Sequence, residues 1–238
     1  MDKTHTLILT IVRHGQTQGN VNHKMDGVTD TPLNDTGRRQ ASCAAEWMKH
    51  EKFDFVFTSD LKRATETTSI ILERNLNTKN QKIRAEELVL LRERNMGIYE
   101  GVSYAEYNEA VKQDGCGRHN HVPKDGESIS DVRNRCIEFM KKVCGLFPVS
   151  VKDVPKVLVV AHGFVLAQLI GLIYEETKCP GMDVDDVQNM YTESNDGLRL
   201  LSSMPNTGIT KVEIEVRDDN LKMISAKCHL YKSGEHLN

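Results

Sequence analysis

Apolar residues in this chain fall into short runs separated by polar segments with helical spacing. Leu7 to Val12 is apolar and rich in β-branched residues, and it ends at Arg13-His14-Gly15. That pattern predicts a buried strand followed by a turn. Residues 14–34 are rich in Gly, Asn, Asp and Thr and read as a loop. Ala41, Ala44, Ala45 and Met48 recur at helical spacing, which predicts a helix over 35–50. Phe53 to Phe57 predicts a second strand, and Thr58-Ser59-Asp60 stands where it can cap a helix over 61–75. Ile83 predicts a short third strand. Residues 88–102 are loop-like and charged, and Ser103-Tyr104-Ala105-Glu106 has the spacing of a capping box. Gly115, Gly117, Pro123 and Gly126 break the next segment. Ser128 then opens a helix with Ile129, Val132, Cys136, Met140 and Val143 on one face. Lys156 to Ala161 predicts a strand. Gly163 to Tyr174 predicts a helix that is apolar nearly all round, so both are expected to be buried. Residues 208–217 and 221–230 predict a strand pair turning at Asp218-Asp219-Asn220.

Strands that alternate with helices predict an α/β layer fold with a mainly parallel central sheet. No linker is long enough to divide the chain, so residues 1–238 are expected to form one domain, with an insertion at 77–126 over one face. Active sites in such sheets lie outside the carboxyl ends of the strands. That rule singles out Arg13-His14-Gly15 and Ala161-His162-Gly163, each of which follows an apolar strand.

Composition narrows the classes. A chain of 238 residues buries enough surface to need no staple. Lys+Arg is 31 against Asp+Glu 34, a net charge of -3, which argues against a general nucleic-acid binder. The longest apolar stretch, Val157 to Tyr174, is interrupted by His162, Gly163 and Gln168 and makes a poor membrane span. The six cysteines form no C-x-x-C pair and no signal-peptide pattern opens the chain, so reduced thiols and a cytoplasmic location are expected. Cys116, His119 and His121 cluster, but three donors fall short of the four that a structural metal site uses, and no metal is assigned. The pattern leaves oligomeric state open.

The two strand-end histidines have informative neighbours. Arg13 precedes the first. Arg63 lies on the first turn of the helix after the second strand, again on the carboxyl side. With Gly15, Gly163 and the helix N-termini, these groups would make an anion site. Positive charge nearby disfavours protonation of an imidazole and leaves a lone pair for attack on phosphorus. Glu93, in Leu91-Arg92-Glu93-Arg94, is the local candidate for the acid, although spacing alone also allows a solvated charge paired with Arg92 or Arg94.

These residues carry a resemblance. Leu9 to Thr17, followed by Asn20, Gly27, Asp30, Leu33 and Gly37, resembles the opening signature of the histidine phosphatase, or phosphoglycerate mutase-like, superfamily. Thr58 to Thr67, Leu91-Arg92-Glu93, Gly126-Glu127-Ser128 and Val159 to Gly163 resemble its later blocks, in the same order. The resemblance implies a three-layer α/β/α sandwich, a phosphohistidine at His14, phosphoryl contacts from Arg13, Arg63 and His162, and Glu93 as acid and then base. It also implies substrate contacts from Thr17, Asn20, Gly27 and Gly163, and no metal or other cofactor. Leu91-Arg92-Glu93-Arg94, Pro205 to Gly208, Lys178-Cys179-Pro180 and Glu235 to Asn238 are similar to the TIGAR-type fructose-2,6-bisphosphatase branch, so the expected partner is a small sugar bisphosphate, with Arg94 among its contacts. A mutase or a broad phosphomonoesterase shares the same core. Arg94, Lys112, Arg118 and Lys124 are the expected cations for a second phosphate. Met96 departs from the branch, where Tyr commonly precedes that Gly.

Overall fold

In the computed structural model the described residues are 3–77, 83–145, 154–182 and 204–237, with the side chains of residues 118 and 119 outside them. Strands β1 (Thr4–Arg13), β2 (Phe55–Thr58), β3 (Glu86–Glu87), β4 (Lys156–Ala161), β5 (Ile209–Arg217) and β6 (Lys222–Ser233) form one sheet in the order β3-β2-β4-β1-β5-β6. The pairings β1–β4, β2–β4 and β2–β3 are parallel, whereas β5 runs antiparallel to both β1 and β6.

Alternation along the central strands divides the core in two. Leu7, Leu9, Ile11, Val157, Val159 and Ala161 face one side. There they pack on helices α6 (Ile129–Gly145) and α7 (Gly163–Thr177). Val12, Leu158 and Val160 face the other side, against α2 (Asp35–Trp47) and α3 (Lys62–Arg74). The result is the expected three-layer sandwich with a mostly parallel sheet. No described helix is long and apolar enough to cross a membrane.

Several local expectations change. The third strand is Glu86–Glu87 rather than around Ile83, which instead packs on the second core cluster. The strand is exposed and acidic, so backbone pairing with Phe57 and Thr58 defines it, not hydrophobic pattern. Helix α3 is not capped by the Thr58-Ser59-Asp60 side chains. Its N-cap residue is Leu61, and the Lys62 N–H finds Asp30 Oδ1 at 2.7 Å. That bond holds the Asp30 carboxyl below the usual range. The first loop contains one helical turn, α1 (Gln18–Val21), closed by a capping box at Thr17.

The capping box at Ser103 opens α4 (Tyr104–Asp114) as expected, and a single turn, α5 (Gly117–Asn120), follows. Met96, Tyr107 and Val111 pack against Met25 of the first loop, and Met25 N–H also bonds Val102 O. The segment after β3 therefore sits on the first loop, beyond the carboxyl end of β1. All six cysteines are free, and burial raises Cys136 to about 12 and Cys144 to about 11, which leaves both inert.

Candidate active site

The parallel register of β1 on β4 pairs Arg13 with Ala161. The next residue on each strand is a histidine, so the ladder sets His14 beside His162. Their ring centroids are 5.1 Å apart, and both side chains are buried. His14 Nδ1 lies 2.7 Å from Gly15 O. A carbonyl only accepts, so Nδ1 carries the proton and Nε2 keeps the lone pair. His162 has the opposite tautomer. Its Nδ1 accepts from Arg63 Nε at 3.0 Å, which puts the proton on Nε2. That buried Nε2–H has no acceptor among the described residues. Burial first, and then the nearby Arg63, push both imidazoles well below their ordinary value, so both are neutral.

Arg63 is wholly buried near the start of α3. Beyond His162 it donates to Thr29 O at 2.7 Å and Gly27 O at 2.6 Å, which ties the first loop to the histidine pair. Gly27 has φ +46°, and a Cβ there would fall 2.0 Å from Glu100 Oε1. The left-handed backbone and the closely set carboxylate both favour glycine at that turn. Arg13 donates from Nη1 to Met204 O at 2.8 Å, and its guanidinium lies over Gly163, where an added Cβ would sit 3.4 Å from Cζ.

Glu93 is not a solvated charge. Arg92 forks onto Asp60 instead, with Nε–Oδ1 at 2.8 Å. The Glu93 carboxylate accepts N–H bonds from Arg94 at 2.9 Å, Phe164 at 3.0 Å and Val165 at 3.2 Å. The last two are first-turn donors of α7, whose N-cap His162 offers no side-chain cap. Glu93 thus caps the helix that begins at His162, and one rigid element positions both residues.

Other expected contacts have different local roles. The Gly15 N–H, expected to approach a ligand, donates to Thr67 Oγ1 at 3.1 Å. Gly15 is required because a Cβ would meet Gly37 O at 2.5 Å. The α7 N-terminus, expected to hold an anion, is taken by Glu93. Thr17 is buried and caps α1, and Asn20 Oδ1 accepts from Thr17 N and from Asn206 Nδ2. Arg94, expected to face substrate, is 5% exposed and donates to Glu127 O and His121 O, each at 2.8 Å. Those bonds make it a brace of the loop that carries Glu93. Lys112 and Lys124 are exposed, and the Arg118 side chain lies outside the described residues.

Sequence reading missed Thr67 and Asn206 as site residues. Thr67 Oγ1 accepts from Gly15 N and donates to Arg63 O. Asn206 Nδ2 bonds both His14 O, at 3.1 Å, and Asn20 Oδ1. Asn206 lies in a block already noted for its resemblance, which was the available signal. Glu127 and Arg135 were also missed. They form an ion pair that holds the Glu93 loop through Asn95 N, Leu90 O and Arg92 O.

Residues 9–189 match the profile of the histidine phosphatase superfamily, branch 1. The chain belongs to this superfamily. Among its histidine phosphatase relatives, fructose-2,6-bisphosphatase TIGAR B of Danio rerio is 30% identical over 238 aligned residues, covering 87% of this chain and 86% of that one. A mycobacterial glucosyl-3-phosphoglycerate phosphatase superposes with a TM-score of 0.74 at 24% identity, over 96% of this chain and all of that one. Phosphoglycerate mutase from Bacillus anthracis superposes with a TM-score of 0.73 at 20% identity, over 99% of this chain and 96% of that one. The mutase-like histidine phosphatase fold expected from the motifs is thus the fold observed.

Proposed function

We propose that this histidine phosphatase hydrolyses a phosphomonoester of a small sugar bisphosphate, with fructose-2,6-bisphosphate as the first substrate to test. The observation that carries this reading is the complementary tautomer pair. His14 keeps a lone pair at Nε2, while the adjacent His162 presents an Nε2–H with no acceptor among the described residues. One imidazole is set to attack phosphorus and its neighbour to donate to a phosphoryl oxygen.

In the first step His14 Nε2 forms the N–P bond as the ester P–O bond breaks. Arg13, Arg63 and His162 balance the charge on the equatorial oxygens. Glu93 gives its proton to the leaving alkoxide. In the second step Glu93 takes a proton from water, the water oxygen bonds to phosphorus, the N–P bond breaks and phosphate departs. The charge that this requires comes from Arg and His side chains, so turnover should survive chelation. Thr17, Asn20, Gly27 and Gly163 shape the first loop and the Arg13 seat. The second phosphate of a bisphosphate needs cations of its own, for which Lys112, Lys124 and Arg118 are the candidates. Residues 1–238 act as one catalytic unit in this reading.

Rapid quench with labelled fructose-2,6-bisphosphate tests it. The expected result is acid-labile, base-stable phosphate on His14 that decays as free phosphate appears. A phosphoenzyme that persists in water and passes its phosphate to glycerate phosphates would instead identify a mutase. Equal turnover of sugar, glycerate and aryl phosphates would identify a broad phosphomonoesterase.

A further inference from the structure

We propose that Asp114, Cys116 and His121, at the corner between α4 and α5, bind one divalent cation of the zinc type. Helix α4 ends at Asp114, Gly115 turns the chain with φ +66°, Cys116 precedes α5 and His121 follows it. One donor atom from each side chain lies within 4.8 Å of the others. His121 Nδ1 is 2.9 Å from Asp114 Oδ2 and 3.9 Å from Cys116 Sγ. Bonds of about 2.0–2.3 Å in a tetrahedron put neighbouring donors roughly 3.3–3.8 Å apart. The two separations from His121 bracket that range, and the Asp114 and Cys116 donors lie within 4.8 Å of each other.

The direction of the histidine is the second observation. Thiol and carboxylate both approach the same nitrogen. A Cys-His-Asp relay would use the two ring nitrogens, one for each partner. Here Nε2 points away, is buried and has no partner among the described residues. Three donors that converge on one point suit a cation better than a proton relay. The ligand is also fixed in place: the His121 ring is 4% exposed and packs against Tyr99 and Tyr107, at centroid distances of 5.7 and 5.4 Å. Cys116 and Asp114 are exposed, which leaves water access for a fourth position. Thiolate, imidazole and carboxylate together select zinc or cobalt over magnesium or calcium, and the carbonyl end of α4 favours positive charge.

The three-donor count made from sequence lacked Asp114, which the turn at Gly115 brings in. It included His119, whose side chain lies outside the described residues and is not needed here. The site also connects to the acid loop, because His121 O accepts from Arg94 and Arg94 N–H donates to Glu93. The cation would pin this corner without entering the phosphate pocket.

Cobalt is the probe. Full-length protein stripped with EDTA and dialysed is titrated with Co2+, and Zn2+ is then added in competition. One equivalent of Co2+ should give thiolate-to-cobalt charge-transfer absorption, and Zn2+ should abolish it. Cys116→Ser should remove the absorption while the metal-free protein melts as before. Asp114→Asn should weaken Zn2+ binding by roughly 10–100-fold, as judged from the losses seen when supporting groups of metal sites are changed. No charge-transfer absorption at one equivalent overturns the proposal. So does absorption that persists in Cys116→Ser, or binding that only His14→Ala removes, since the catalytic pair would then be the metal ligand.

Discussion

Arg63 donates its Nε–H to His162 Nδ1 across 3.0 Å, and neither side chain is exposed to solvent. The bond fixes the His162 tautomer, with the proton on Nε2. His162→Ala should therefore lower kcat by about 10²–10³, the usual cost of losing a donor to developing charge. KM should change far less. Single-turnover measurement of His14 phosphorylation checks this. Near-normal phosphorylation would remove His162 from the chemistry.

Arg63→Lys should be nearly as damaging, although it keeps the charge. Arg63 serves His162 Nδ1, Thr29 O and Gly27 O at once, and an ammonium on a flexible stem cannot reproduce that planar fork. The expected result is a lower kcat together with a lower melting temperature. A variant with wild-type kcat would show that charge alone suffices.

Glu93→Gln should separate substrates by leaving group. A sugar alkoxide needs its proton, so its turnover should fall by about 10²–10⁴, whereas an aryl phosphate should lose much less. The amide also faces N–H donors from Arg94, Phe164 and Val165, so some stability should be lost at the start of α7. Parallel kcat/KM measurements on both substrates decide the point, and equal losses would move the acid elsewhere.

Gly27→Ala tests the first loop. The new Cβ would meet Glu100 Oε1 at 2.0 Å in a backbone of φ +46°. Glu100 bonds Val28 N, Thr29 N and Met96 N, so displacing it loosens the loop that holds Arg63. The expected cost is about 1–3 kcal/mol of stability, with a raised KM. Thermal melts and initial rates measure both, and no change in either would mean the clash relaxes freely.

Stability should fall in mild acid. His14 and His162 both have native pKa values well below the ordinary one, chiefly through burial. Above about pH 6.5 neither the folded nor the unfolded chain protonates them, so nothing is lost. As pH drops through that value, the unfolded chain gains protons that the native protein refuses. Each histidine then removes up to about 1.4 kcal/mol per pH unit. Urea titrations across this range should show the decline, and it should flatten in the His14→Asn, His162→Asn double variant. An equal slope in that variant would refute the assignment.

The sheet and its two histidine turns were legible because β1 and β4 are apolar runs that end in His-Gly. The α6 and α7 faces were legible from period alone. β3 was not, because Glu86 and Glu87 carry no hydrophobic signal and join the sheet through backbone bonds. The paired histidines and Arg63 could be named as neighbours from motif and strand-end position. The role of Glu93 as the cap of α7 could not, since its donors lie some seventy positions downstream. Asn206 reaches His14 O from a distant segment, and Gly15 proved to be glycine for its contact with Gly37. Local pattern reports what a residue is beside in the chain, whereas these roles depend on what folding brings across.

The pairing of Arg13 with Ala161 has a further consequence. The spacing of the two imidazoles is inherited from a backbone ladder buried at the centre of the sheet, while the surfaces that would judge a substrate hang on segments outside it. Lineages can therefore rewrite the outer segments, by insertion or exchange, with the reacting geometry left intact. Selectivity and reactivity become separately heritable traits, and an engineer who wants a new substrate should randomise the cover and leave the ladder alone.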